Sequence, residues 1–137
     1  MKKLILILLF PITVNAQLDY IEAITFQNGL RSYFEIPFLE YDPLLADDAQ
    51  QWADHIAITD DFSVSNSVYG ETIYSFNKAY YNPNINYFLD AVVHWTIQDE
   101  KYPFYQMVYP ETTRVGFGIS ENNNSIFVVA KYDKAWQ

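Results

Sequence analysis

Few side chains in this 137-residue chain are equipped for chemistry. It has no cysteine, which excludes thiolate nucleophiles and thiolate metal ligands, and its only histidines are His55 and His94. Each histidine borders a tryptophan region on what reads as the polar face of a helix. A solvent-facing or capping role explains both more simply than metal binding does. No nucleophile elbow is visible, although a Ser-His-Asp arrangement assembled from distant segments stays open. Glu71 is the carboxylate of most interest, because it stands beside Gly70 at the entry to the run Ile73-Tyr74-Ser75-Phe76. As structure, it could accept backbone or tyrosine hydrogen bonds and fix a loop. As chemistry, it could bind a polar ligand group or act as a lone base. Asn123-Asn124-Ser125 is formally a glycosylation acceptor, and a turn accounts for it equally well.

The elements that must position these groups follow from periodicity and punctuation. Phe104 to Ser120 reads as two strands joined by a turn at Pro110-Glu111, since Gln106, Val108, Val115 and Phe117 alternate with their neighbours. Gly116 and Gly118 flank Phe117, which suggests a bulge or a close approach of other backbone. Helical spacing of Ile21, Ile24, Phe26, Leu30 and Phe34 predicts a first helix from Asp19 to about Tyr33, with Gly29 costing up to about 1 kcal/mol relative to alanine. Pro37 and Pro43 hold Ile36 to Asp42 extended. Asp42 followed by Pro43 is a strong helix start, and Leu45, Ala49, Trp52, Ala53 and Ile56 then form one apolar stripe from Leu44 to Ile58. Thr59 to Tyr69 is a polar loop, and a short strand follows Gly70. Asn82-Pro83 predicts the start of a third helix reaching about Glu100, with Phe88, Leu89, Val92 and Trp95 on its apolar face. Ile126 to Tyr132 is the last strand.

The N-terminus has the three regions of a secretory signal peptide: Lys2 and Lys3, the apolar run Leu4 to Phe10, and Val14-Asn15-Ala16. Cleavage after Ala16 is expected, leaving a single domain over residues 17–137, with no membrane span after cleavage because the apolar core is too short to cross a bilayer. That length should bury roughly two thirds of its extended surface. Without disulfides the core must draw on ten Phe, twelve Tyr and three Trp. The formal charge of −9, or −11 once the leader is removed, repels phosphate backbones and anionic headgroups. Nucleic-acid binding and peripheral membrane attachment are therefore not expected.

Seven stretches, in order, resemble the CAP superfamily of cysteine-rich secretory proteins, antigen-5 allergens and plant pathogenesis-related proteins. Asn28-Gly29-Leu30-Arg31 is similar to its Asn-x-x-Arg, although Gln27 stands where a histidine is common. The segment from Pro37 to Asp42 resembles Pro-x-Leu-x-Trp-Asp, with Tyr41 for the tryptophan. Leu45 to Ala53 resembles the second family helix, Gly70-Glu71-Thr72 resembles Gly-Glu-Asn, and Ala91 to Trp95 resembles Ala-Val-x-x-Trp. Gln106 to Gly118 is similar to the signature Gln-x-Val-aromatic-x-x-Thr-x-x-Val-Gly-x-Gly, and Phe127 to Tyr132 to the closing strand. The resemblance covers about residues 20–132. It implies an α+β domain, a three-layer α-β-α sandwich around a small central antiparallel sheet.

The resemblance also implies a cleft of two histidines and two glutamates able to hold a divalent ion. Only Glu71 of that set is present. The second glutamate is Gln98, one histidine is Pro103, and the loop before Gly70 has no histidine. The expectation is a degenerate cleft with no metal and no cofactor, lined by Glu71, Gln98, Tyr105, Gln106 and Tyr69. Tyr74, Tyr80, Tyr81 and Tyr87 would stand near it as an aromatic wall suited to sugars, peptides or flat lipids. The reading that follows is a secreted protein, extracellular or periplasmic, acting as a binding module for an unknown protein, glycan or lipid. The alternatives are a hydrolase using Glu71 with a partner such as Tyr105, and a lipid- or sterol-binding protein.

Overall fold

A computed structural model of the chain describes residues 19–98 and 101–137; the expected leader, Asp99 and Glu100 lie outside the described residues. The elements in order are helix α1 (residues 19–33), β1 (Glu40–Tyr41), α2 (Pro43–Thr59), β2 (Gly70–Asn77), a 3-10 turn (Lys78–Tyr80), α3 (Tyr87–Thr96), α4 (Tyr102–Met107), β3 (Arg114–Glu121) and β4 (Ser125–Tyr132). The strands lie in the order β1-β3-β4-β2. All pairings are antiparallel except the two-residue β1, which runs parallel to β3.

The sheet is sandwiched. Along β4, Phe127 and Val129 face the α2 stripe of Ala49, Ala53 and Ile56. Ile126, Val128, Ala130 and Tyr132 alternate to the opposite face, where they meet Ala23, Phe88, Val92, Trp95 and Met107 from α1, α3 and α4. This is the three-layer arrangement expected. Helix α2 begins as anticipated: Asp42 Oδ1 accepts from the Leu44 and Leu45 amides at 2.9 and 3.4 Å, and Pro43 supplies the first-turn residue that needs no donor. The paired glycines are explained by close approach, with no bulge in the β3–β4 register. A Cβ on Gly116 would lie 2.0 Å from the Ala46 nitrogen, and one on Gly118 would lie 2.4 Å from that of Gln50. Helix α2 thus rests on the β3 backbone, and the Gln50 carboxamide bonds both the Ile119 amide and its carbonyl.

Two expectations need correction. The segment expected to be the first strand of a hairpin at Phe104 is helix α4, and β3 pairs with β4 instead. Pro103 sits in the first helical turn, and the Tyr105 and Val108 amides donate to the carbonyls of Lys101 and Phe104, four residues back in each case, as in a helix. The third helix starts at Asn86, not Asn82, and ends at Thr96. Asn86 Oδ1 accepts from the Leu89 amide, whereas Asn82 Oδ1 closes a local turn onto the Asn84 amide.

Two side chains of the Asn-x-x-Arg stretch fasten α1 to the rest. Asn28 pairs with both the amide and the carbonyl of Leu39, like a neighbouring strand. Arg31 is fully buried and donates to the carbonyls of Pro37, Met107, Tyr109 and Thr112 at 2.6–3.0 Å. Its guanidinium thereby gathers the residues after α4, which have no regular partner of their own.

Candidate functional site

Glu71 is the second residue of β2, directly opposite Lys131 of β4. Both side chains point to the α2 face, since alternation places them with Ile73 and Val129. The Glu71 carboxylate is almost fully buried and accepts from the Ser65 amide at 2.8 Å and the Ser65 hydroxyl at 2.5 Å. Lys131 is buried as well. Its Nζ lies 3.0 Å from Asp48 Oδ2, 3.1 Å from Ser65 Oγ and 3.8 Å from Glu71 Oε2. Gly116, the register partner of Lys131 on β3, lets the first turns of α2 settle on the sheet and so brings Asp48 over the ammonium. Above the cluster is a depression of about 400 Å³ bordered by Trp52, His55, Ser65 and Asn66. The His55 ring stacks on Trp52 at 4.5 Å.

Each member of this cluster is engaged by another. Both Glu71 oxygens accept from Ser65, and the Lys131 ammonium stands among two carboxylates and a hydroxyl. Ser65 Oγ donates to Glu71 Oε2 and accepts from Lys131 Nζ. Glu71 thereby ties the loop before β2 to the sheet, the structural role considered for it from the sequence.

The other expected cleft residues are dispersed around this point. Gln106 is fully buried, and its carboxamide is saturated. Nε2 donates to Thr112 Oγ1 and the Lys134 carbonyl, while Oε1 accepts from the Trp136 amide and the Tyr102 hydroxyl. Tyr102 links Gln106 to Glu71, because its oxygen also accepts from the Glu71 amide at 3.3 Å. Burial pushes the Tyr102 phenol up from its ordinary pKa. Gln98 follows α3 and contacts His94 at 3.0 Å between side-chain nitrogens. Tyr105 stacks on Trp136 at 5.0 Å. Tyr69 borders an adjoining depression of about 540 Å³ with Asp42, Asp48, Arg114 and Asp133. The remaining tyrosines also go elsewhere: Tyr74 donates to Asp90, and Tyr81 stacks on Tyr87. Lys131, Ser65 and Asp48 were not singled out from the sequence. Alternation with Phe127 and Val129 could have flagged Lys131 as inward-facing.

The residues present do not fit the divalent ion that the resemblance implies. Among the described residues, no three His, Cys, Asp or Glu side chains converge as ligands. Glu71 already faces an ammonium, Gln98 and Pro103 bring no charge, and the two histidines are engaged with Trp52 and Gln98.

The model of the cysteine-rich secretory protein family, CAP, matches residues 24–132, and the chain belongs to this family, whose members are typically secreted. No curated protein matches the sequence. Among solved structures, BmVAL-1 aligns at a TM-score of 0.73 and 17% identity, covering 85% of this chain and 77% of that one. A hookworm platelet inhibitor aligns at 0.66 and 18%, covering 84% and 68%. Manganese-bound Ac-ASP-7 aligns at 0.63 and 24%, covering 87% and 70%. These likenesses establish the fold.

Proposed function

We propose that the chain is a secreted CAP-domain protein whose cleft has lost its metal site and which works as a non-catalytic binding module outside the cytoplasm. The observation that carries this reading is the state of Glu71. The one acidic ligand kept from the family set is buried, bonded twice by Ser65 and faced by Lys131. A carboxylate whose oxygens are already engaged by Ser65 and Lys131 would have to give up those partners before it could take a proton from a substrate. The binding surface is supplied by a row of rings from Trp136 over Tyr105 to Phe104, Phe34 and Tyr33, all exposed except the partly buried Phe104. Aromatic side chains of this kind are enriched in recognition surfaces. No helix among the described residues is long and apolar enough to cross a membrane.

The test is a zinc and manganese titration of the mature protein, residues 17–137, read as thermal unfolding, beside assays with peptide and ester substrates. Glu71→Ala is carried in parallel. The expected outcome is no saturable stabilisation by either ion and no hydrolysis that depends on Glu71. Turnover abolished by Glu71→Ala would overturn the reading and restore the hydrolase alternative.

A further inference from the structure

We infer that Lys131 is the resident cation of this cleft, its ammonium standing where a divalent ion would otherwise bridge Asp48 and Glu71. The inference rests on the reading of a metal-free cleft and explains how such a cleft is held together. Three hard oxygens converge on Nζ: Asp48 Oδ2 at 3.0 Å, Ser65 Oγ at 3.1 Å and Glu71 Oε2 at 3.8 Å. Carboxylate and hydroxyl oxygens are the donors that calcium, magnesium and manganese take. Here they close around a side chain instead. The side chains of Lys131 and Glu71 are only 3% and 4% exposed. Burying a carboxylate there without a partner charge would be costly, and Lys131 supplies that partner.

The fold delivers that charge covalently. Lys131 is held in register between Glu71 on β2 and Gly116 on β3, so its amine cannot leave while the sheet is intact. A bound ion could be removed by a chelator, and the lysine cannot. The loop through Ser65 and the first turns of α2 are thereby tied to the sheet at every ion concentration. Removing the amine while keeping an apolar stem should uncover a latent ion site made of the same three oxygens.

The test compares the wild-type protein, Lys131→Met and Lys131→Met/Glu71→Gln by thermal unfolding, with calcium or manganese chloride against sodium chloride of equal ionic strength. The wild type is expected to be indifferent to either ion and to chelator. Lys131→Met should unfold at lower temperature and recover saturably, by about 3 °C or more, at millimolar ion. The double variant, with no buried charge left to neutralise, should be more stable than Lys131→Met without ion and show no ion response. If Lys131→Met folds and no ion stabilises it, the inference is overturned. If it does not fold, the double variant decides. Folding of the double supports the inference, and failure of both means that the lysine acts by packing, which overturns it. Metal-independent hydrolysis by the wild type, lost in Glu71→Ala, would sink the proposed function and leave the ion responses of these variants as they stand.

Discussion

Gly70 and Gln106 interlock: a Cβ built on Gly70 would lie 2.3 Å from the Gln106 Oε1. The first residue of β2 and the carboxamide of α4 share a space that only glycine leaves open. A flexible side chain would ordinarily step aside, but this one is held by Tyr102, Thr112, Lys134 and Trp136. Gly70→Ala should therefore destabilise the fold by about 2–4 kcal/mol, the cost of breaking several buried hydrogen bonds. Chemical denaturation of Gly70→Ala, Gln106→Ala and the double variant checks this. The two losses should be strongly sub-additive, and simple additivity would show that the residues do not share the strain.

At Gly116 the obstacle is backbone, and no rotamer relieves it. The position of a Cβ lies 2.0 Å from the Ala46 nitrogen and 2.4 Å from the Leu45 carbonyl carbon. Gly116→Ala must lift α2 from β3 and should cost more than Gly70→Ala, about 3 kcal/mol or above, with poor soluble yield. Circular dichroism melts of the two alanine variants side by side give the order. A Gly116→Ala protein that melts with the wild type would contradict the close helix–sheet approach.

What could be read in advance divides along the range of the interaction. The start of α2 was legible because Asp42 acts on amides two and three residues away. The glycine pair was legible as a bulge or a close approach, and the packing of α2 on β3 decides for the second. Helix α4 was not, since three of its six residues are aromatic, which lets it pass for a strand, and no side chain caps its start. Its stability comes from Gln106 and Arg31 bonding residues far along the chain. The same limit hid the cleft: Glu71 stood out beside Gly70, but its loop partner Ser65 looked like any serine in a polar stretch. Asp48 is 83 residues from the lysine it bonds. For α3, Asn82 and Asn86 were equally good caps by type, and only the packing of Tyr87 and Phe88 into the core selects the second.

Asp133, just past β4, sets an acid limit. Burial acts to raise its pKa, but the Thr113 amide at 2.9 Å, the Arg114 amide at 3.1 Å, the Thr113 hydroxyl and the Arg114 guanidinium outweigh that and hold the carboxyl below its ordinary value. A folded pKa below the unfolded value of about 3.9 means that the unfolded chain takes up the proton first. The stabilisation is complete above that value and is lost as pH falls through the lower, folded pKa. Asp133→Asn should cost about 1 kcal/mol at neutral pH and weaken the dependence of the urea midpoint on pH below 4. An unchanged acid slope in the variant would remove Asp133 from the account.

The alkaline limit belongs chiefly to Tyr132. Its phenol is fully buried and donates to Gln27 Oε1 at 3.0 Å, and burial raises its pKa well above the ordinary value despite the nearby Arg31 charge. Tyr74, beside Asp90, is raised too, by burial first and then by that carboxylate. A group whose folded pKa exceeds the unfolded value of about 10 favours the native state fully below pH 10, and that advantage is lost as pH climbs through the folded pKa. The wild-type midpoint should therefore fall steeply above pH 10. Tyr132→Phe should be less stable at pH 7 by about 1–2 kcal/mol, because the Gln27 oxygen loses its donor while Gln27 Nε2 is already without a partner. Its decline above pH 10 should nevertheless be shallower, and shallower again when Tyr74→Phe is added. Urea midpoints from pH 8 to 11 for the three proteins separate the effects. If the slopes coincide, buried phenol ionisation is not what limits stability in base.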